Sequence, residues 1–381
     1  MALILSKWVW QQPDWPDFRW QDKRILPLLR AVRLKQGVLL GKTGSGFEYS
    51  TTSSRAALDI LLQNIITSSA IEGEQLNAPA VRSSLAKRLG LDQSRPYPIS
   101  KRSEGLAEMM LDATQNLSSS LTLSRLFWWH SWLFPEDDLL LQPIKVAQLR
   151  GDEPMQVVSG RIDRPKVHFE APPRNLLESG LSDFIDWFNQ SRGDATLDPL
   201  LRAAISHFWL ITLHPFDDGN GRITRALTDL ALAQADSPSI HLYAMSASIL
   251  ARRSAYYSIL EQSQRGGVDI TDWLEWFLHT LDAALQTSLN GIEYTLEKSR
   301  FWQRHHDAGL SAPQIKVLNR LLEGGDNNFE QGISAAQYQK VAKVSKATAT
   351  RHLVDLLAKG CIQKLSGGGR STRYSVVGFK P

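Results

Sequence analysis

With one cysteine, Cys361, in 381 residues, the chain has no disulfide framework and no cysteine-based zinc site. No apolar run reaches the roughly 18 residues a membrane span needs, so no membrane partner is expected. The N-terminal stretch MALILSKWVWQQPDW has a short apolar patch, no basic region before it and no small-residue cleavage site. It does not read as a signal peptide. Internal repeats and low-complexity tracts are missing as well. These absences point to a reducing, cytoplasmic protein, and 43% hydrophobic with 22% charged residues is an ordinary globular composition. The length suggests two or three domains.

A P-loop is also missing. GKTGSG at 41–46 has the Gly-Lys-Thr end of one, but the position that needs the earlier glycine is Gln36, and Gly37 is one residue off. The preceding segment also looks helical rather than strand-like.

An excess of charge of one sign is missing overall, with a net charge of only +4, but that charge is unevenly placed. Residues 313–381 hold 11 Lys and Arg against 4 Asp and Glu, a balance of +7 that leaves −3 for the rest. Any polyanion partner is therefore sought in the C-terminal part.

Residues 1 to about 55 are rich in tryptophan, with Trp8, Trp10, Trp15 and Trp20, and Pro13 and Pro16 break any early helix. These aromatics predict a small packed module. From Ser54, the apolar positions Leu58, Leu61, Leu62, Ile65 and Ile66 have helical spacing, and helical patterns dominate to about residue 290. The exception is MQVVSGRIDRPKVHFEAPPR at 155–174, which reads as a β-hairpin. A polar boundary is expected near 300–313.

HPFDDGNGRITR at 214–225 suits neither a packed helix nor a strand. His214 precedes Pro215, so the apolar helix before it should end there. Gly219-Asn220-Gly221 forms a turn, and RITRALTDLALAQA starts a new helix. A glycine-rich turn at a helix N-terminus is an anion site. Arg222 and Arg225, three apart near that start, oppose the helix dipole and imply a compensating anion, a ligand phosphate or a protein carboxylate. Asp218 suits Mg²⁺ beside a phosphate, and His214 suits a general base.

The stretch resembles the signature of the Fic (filamentation induced by cAMP) family, H-x-F-x-D/E-G-N-G-R-x-x-R, through His214, Phe216, Asp218, Gly219, Asn220, Gly221, Arg222 and Arg225. The resemblance implies a helical domain that transfers AMP from ATP to a Ser, Thr or Tyr hydroxyl of a target protein. It makes His214 the catalytic base, Phe216 the loop's anchor and Asp218 the Mg²⁺ ligand. Nucleotide binding would fall to Gly219, Asn220 and Gly221 at the α- and β-phosphates, Arg222 at the β- and Arg225 at the γ-phosphate, with Ile223 and Thr224 in the same stretch. The hairpin would be a flap, with Val167, His168 and Phe169 on it, that pairs with the target segment by strand addition. Within ARRSAYYSILEQSQ at 251–264, Tyr257 would contact adenosine, with Tyr256 and Gln264 as weaker candidates.

SSAIEG at 68–73 is similar to the family's inhibitory pattern, S/T-x-x-x-E-G/N, through Ser68, Glu72 and Gly73. Glu72, at the end of a helix, would supply the missing carboxylate in a bidentate pair with Arg225. This implies a self-inhibited member of the N-terminal-helix type.

In the basic tail, SAPQIKVLNRLLEGG predicts one helix, and two more break near Ser345. CIQKLSGGGRSTRYSVV alternates around a Gly-rich turn as a two-stranded wing. The pattern resembles a winged helix–turn–helix, with Lys346, Thr348, Thr350 and Arg351 set for groove contacts and Arg370 and Arg373 for phosphates.

The expected fold is an all-α Fic domain with a short β-hairpin flap, plus a C-terminal winged helix–turn–helix domain. The expected divisions are 1–95 for the Trp-rich module and inhibitory helix, 96–295 for the catalytic domain and 300–381 for the winged helix. The expected function is a self-inhibited protein adenylyltransferase using ATP and Mg²⁺, with self-modification, DNA and a second copy of the chain as further partners. Two alternatives stay open: AMP removal on the same fold, and a nucleotide-sensing transcription regulator.

Overall fold

The computed structural model describes residues 7–43, 51–91, 96–135, 144–161, 164–235, 242–323, 329, 331–365 and 372–378. Arg370 lies outside them. The chain divides into two compact units, Met1–Ser288 and Leu289–Pro381.

In the first unit, α1 (Asp22–Thr43), α2 (Thr51–Ile71), α3 (Ala78–Arg88), α4 (Lys101–Gln115) and α5 (Leu123–Leu133) precede a hairpin of β1 (Gln156–Arg161) and β2 (Arg164–Glu170). After it come α6 (Arg174–Gln190), α7 (Pro199–Leu213), α8 (Asn220–Ala235), α9 (Met245–Ala251), α10 (Arg253–Gln264) and the first part of α11 (Thr271–Arg304), whose last part belongs to the second unit. Side-chain caps start several of these helices. Thr122 accepts from Arg125 N–H at 3.0 Å, and Asp198, ahead of Pro199, accepts from Leu200 N–H at 2.8 Å.

The centre of this unit is α7, whose residues Leu200 through Leu213 are all buried. A helix apolar on every side belongs inside a larger core. It packs along α8, and α6 covers it with Phe184 and Phe188. Among the described residues, the N-terminal aromatics pack against the rest of the unit. Trp15 lies 6.2 Å from Trp209 of α7, Phe18 lies 5.7 Å from Phe208, and Trp8 meets Phe169 of β2 edge-on at 5.4 Å. A stretch of about 50 residues buries only a marginal core of its own, and docking on a helical core adds burial.

The second unit begins inside α11 rather than at the polar stretch near 300–313, because Phe301 of that helix is buried in the second core. α12 (Ala312–Leu322), β3 (Ile333–Ser334), α13 (Ala335–Ala342), α14 (Lys346–Ala358), β4 (Ile362–Lys364) and β5 (Arg373–Val376) follow, with the strands in the antiparallel order β3-β5-β4. Ser345 caps α14 by accepting from Thr348 N–H at 3.2 Å. Among the described residues, no helix is long and apolar enough to cross a membrane.

Candidate functional site

α7 stops at His214, which adopts a left-handed backbone with φ 50°. That region is costly for a residue with a Cβ, so surrounding bonds must hold it. The His214 N–H still reaches Leu210 O at 3.1 Å, and its carbonyl accepts from Arg150 Nε at 2.8 Å. Arg150 also donates to Pro172 O at the base of the hairpin, and its own N–H reaches Pro215 O at 3.0 Å. Phe216 is fully buried and stacks on His130 at 4.4 Å. Asn220 clasps it, accepting from Phe216 N–H at 2.9 Å and donating to Phe216 O at 2.7 Å. The Asn220 side chain is thereby spent on the loop, leaving its backbone N–H as the group free for an anion. Gly219 has φ 79°, and a Cβ there would sit 2.7 Å from Leu133 and 2.8 Å from Phe134, so both backbone and space demand glycine.

The His214 ring is partly buried, and burial pushes its pKa down to about 4. Nδ1 lies 3.2 Å from Ile211 O, which can only accept, so Nδ1 carries the proton and Nε2 keeps its lone pair. At neutral pH this imidazole is an uncharged base.

His214 opens onto a cavity of about 730 Å³. Asp218, Gly219, Asn220 and Gly221 line it at the positive end of the α8 dipole, and Tyr257 and the hairpin complete it. The Asp218 side chain is 57% exposed, while its backbone carbonyl lies 3.3 Å from His130 Nε2. Ala147 N–H donates to the other nitrogen of that ring at 3.1 Å, which leaves Nε2 as the protonated donor. Among the described residues, no three His, Cys, Asp or Glu form a ready metal cluster. One exposed carboxylate beside a helix N-terminus is nevertheless a donor set that would fit Mg²⁺, which takes one or two carboxylates plus substrate phosphates.

Both arginines are buried and face carboxylates. Arg225 Nη2 donates to Glu72 Oε1 at 2.8 Å and to Ser68 O at 2.9 Å, and Nε donates to Ser68 Oγ at 2.8 Å. The pair is single rather than bidentate: Ser68 takes Nε and shares Nη2 with Glu72, and Nη1 makes no hydrogen bond among the described residues. Burial alone would raise the Glu72 carboxyl, but the Arg225 charge and hydrogen bond override it and hold it below the usual range. Arg222 Nη1 donates to Glu74 Oε2 at 2.7 Å, and Glu74 also accepts from Arg102 Nε at 2.7 Å. Gly73, between the two acids, turns the chain with φ 83°. A Cβ on Gly221 would stand 2.2 Å from Glu72 Oε1, so the carboxylate lies directly against the turn.

The structure thus gathers His214, Asp218, Gly219, Asn220, Gly221, Glu72 and Tyr257 around one cavity. Arg222 and Arg225 stand behind their carboxylates and do not line it. Neither do Ile223, whose N–H is bonded to Gly219 O at 3.0 Å, and Thr224, which is fully buried. Tyr257 donates to Ile71 O at 3.2 Å and lies 3.4 Å from Glu72 Oε2, so it holds the end of α2 as well as lining the cavity. Tyr256 and Gln264 are core residues bonded to His207 Nε2 at 2.9 Å and Thr212 Oγ1 at 3.2 Å, and they reach the cavity only at its wall. On the hairpin, His168 and Phe169 line the cavity, whereas Val167 packs toward Trp8. Glu74, Arg102, His130 and Arg150 were not singled out from sequence. Glu74 alone had a local signal, a second acid two residues after Glu72.

Residues 120–232 match the Fic/DOC family model, and residues 8–91 match a domain of unknown function, DUF4172. Protein adenylyltransferase fic-1 of Caenorhabditis elegans is 30% identical over 141 residues, 36% of this chain and 26% of that protein. Protein adenylyltransferase Fic of Drosophila willistoni is 27% identical over 251 residues, 65% of this chain and 44% of that protein. The chain therefore matches less than half the length of these curated relatives. A Fic family protein from Desulfovibrio desulfuricans G20 has the same fold at a TM-score of 0.51 and 20% identity, covering 93% of this chain and 96% of that one.

Proposed function

Residues 120–232 of this chain are a Fic/DOC domain, and on that premise we propose that it is a protein adenylyltransferase. It transfers AMP from ATP to a hydroxyl of a target protein. The observation that carries this is the neutral His214 ring opening onto the same cavity as the Gly219–Gly221 turn at the α8 N-terminus.

The triphosphate lies along that turn, with backbone N–H groups on its α- and β-phosphates. His214 Nε2 takes the proton of the target hydroxyl as its oxygen bonds the α-phosphorus, and pyrophosphate leaves with the electrons of the broken bond. Asp218 would hold Mg²⁺, which supplies charge neutralisation on the phosphates. Arg222 and Arg225 bind the outer phosphates once their carboxylates release them, Tyr257 packs on the adenosine, and the hairpin presents the target segment.

The same chain inhibits itself. Ser68, Glu72 and Gly73 hold Arg225 in the position where it cannot meet the γ-phosphate, so the α-phosphate is misaligned for in-line attack. Transfer from ATP labelled at its α-phosphorus, in cell lysate with Mg²⁺, tests both parts. Label is expected on protein with Glu72→Gly, far less with wild type, and none with Glu72→Gly combined with His214→Ala. No label with any of the three would overturn the transferase reading.

The second unit supports a separate role in binding duplex DNA. Lys346, Thr350 and Arg351 are exposed at the start of α14, beside a three-stranded sheet, in a segment with a balance of +7. This pattern fits a winged helix–turn–helix. The full chain is expected to retard duplex DNA at low salt, with affinity falling steeply as salt rises.

A further inference from the structure

A serine and a histidine of the hairpin and an acid of α10 stand in series, and the transfer to a target does not use them. Val157 pairs with Phe169 and Val158 with Val167, so His168 is the extra residue of a β-bulge. Bulges re-aim side chains, and this one turns His168 between its own hairpin and α10. His168 Nδ1 is 2.6 Å from Glu261 Oε2, and Nε2 is 2.6 Å from Ser159 Oγ. The carboxylate can only accept, so Nδ1 carries the proton and Nε2 is left to take the Ser159 hydroxyl proton. The hydrogen bond from His168 holds the Glu261 carboxyl below its usual range. Arg265 fixes the arrangement from behind, donating to Val167 O at 2.9 Å and His168 O at 3.3 Å while pairing with Glu261 at 3.1 Å.

A serine hydroxyl on an imidazole that is itself oriented by a carboxylate is the arrangement that activates a serine nucleophile. A plain latch between hairpin and helix needs only the His168–Glu261 contact. Ser159 is exposed, and all three residues line the cavity shared by His214 and the Gly219–Gly221 turn.

We propose that Ser159 is a self-modification site that accepts AMP in cis, with His168 as its base and Glu261 orienting that base. This rests on the adenylyl-transfer reading above. Ser159 Oγ bonds the α-phosphorus of ATP, and the bond from that phosphorus to the departing pyrophosphate breaks with its electron pair leaving on the pyrophosphate. The hydroxyl proton passes to His168 Nε2, and the Glu261 charge balances the imidazolium. The product places a nucleotide in the middle of β1, whose Val157 and Val158 are exposed, and obstructs any segment that would add to that strand.

The test is peptide mass mapping of the full-length Glu72→Gly protein after incubation with ATP and Mg²⁺. The tryptic peptide Gly151–Arg161, GDEPMQVVSGR, contains Ser159 as its one hydroxyl, so added AMP mass on it identifies the site. Adduct on that peptide, abolished by Ser159→Ala, is expected. The rate of its formation should fall roughly a hundredfold or more in His168→Ala, the contribution of a general base, while Glu261→Gln gives a smaller loss. AMP found only on other peptides or only on lysate proteins overturns the assignment and leaves the transferase standing. AMP on nothing at all overturns both. An adduct at Ser159 that forms equally fast in His168→Ala overturns the role given to the histidine.

Discussion

Glu72 Oε1 stands 2.8 Å from Arg225 Nη2 and against Gly221, where no side chain would leave it room. One carboxylate therefore neutralises a buried guanidinium and lies on the turn where an anion would bind. Removing it has two opposed consequences, one on folding and one on ligand binding.

In Glu72→Gly, Arg225 keeps its bonds to Ser68 but loses its counter-charge inside the protein. Removing one partner of a largely buried ion pair costs several kcal/mol when the site is closed. The Glu72 side chain is 32% exposed, so a loss of about 2 kcal/mol is expected instead. ATP with Mg²⁺ should restore the lost stability, since the γ-phosphate replaces the carboxylate and ligand binding shifts the unfolding equilibrium. Thermal unfolding with and without ATP checks this. A variant that ATP stabilises no more than wild type would mean Arg225 is not a phosphate ligand.

Glu74 predicts a second lock. Glu72→Gly still leaves Arg222 held by Glu74, which Arg102 in turn holds. Glu72→Gly with Glu74→Gln removes the charge-assisted bond and frees Arg222 for the nucleotide. KM for ATP should fall by about tenfold relative to Glu72→Gly alone, the scale of one charged hydrogen bond. Steady-state transfer at varied ATP measures it, and an unchanged KM would show that Arg222 binds nucleotide while still on Glu74.

The contrast between these two acids shows what a sequence makes legible. His214 through Arg225 lie within twelve residues, and their turn, helix start and clustered charges are local properties. The helical core was equally open to pattern, since α7 and α8 carry their apolar spacing in their own residues. The single bond from Arg225 to Glu72, with Ser68 on Nε and sharing Nη2, depended on where α2 ends in space. The same holds for Arg222 with Glu74, 148 residues apart, for Arg150 with His214, 64 apart, and for His130 with Asp218, 88 apart. Such pairs are chosen by packing, which no local window records. The tryptophans show the same limit, because aromatic richness signals burial but not against what.

Acid should weaken this fold before it reaches ordinary carboxylate pKa values. Burial pushes His130 down to about 4 and His207 to about 3, and both are buried. Above about pH 6.5 they are neutral whether folded or unfolded and contribute no pH dependence. Below it the unfolded chain takes up protons that the folded chain refuses, so stability falls as pH falls. Each histidine should contribute roughly 1.4 kcal/mol per pH unit between about 6.5 and its folded value. Urea unfolding at pH 7.5, 6 and 5 measures the slope, and replacing His207 with Gln should reduce it. Activity should behave differently over the same range. With the His214 pKa pushed down to about 4, kcat/KM should stay level down to about pH 5 wherever the protein remains folded. An activity limb centred near 6.5 would show that His214 is more open to solvent in the working enzyme than here.

Arg150 tests whether the left-handed conformation of His214 matters for the rate. Its guanidinium joins the carbonyl of His214 to the carbonyl of Pro172, so one buried side chain ties the loop after α7 to the base of the hairpin. Its backbone N–H on Pro215 O holds the next residue of the loop as well. Arg150 does not itself line the cavity, so its effect has to pass through the residues it holds, His214 first. In Arg150→Met the loop keeps its buried Phe216 anchor and its Asn220 clasp, but loses the donor that holds His214 at φ 50°. In the Glu72→Gly background, kcat should fall by roughly a hundredfold, the scale expected when a base is displaced by about an ångström, while KM for ATP changes little. Arg150→Lys should not restore it, because a single ammonium cannot span both carbonyls as the planar fork does. A loss of ATP affinity matching the loss of kcat, or a rescue by lysine, would mean that Arg150 acts as a general charge on the site and not as the strut that holds the base.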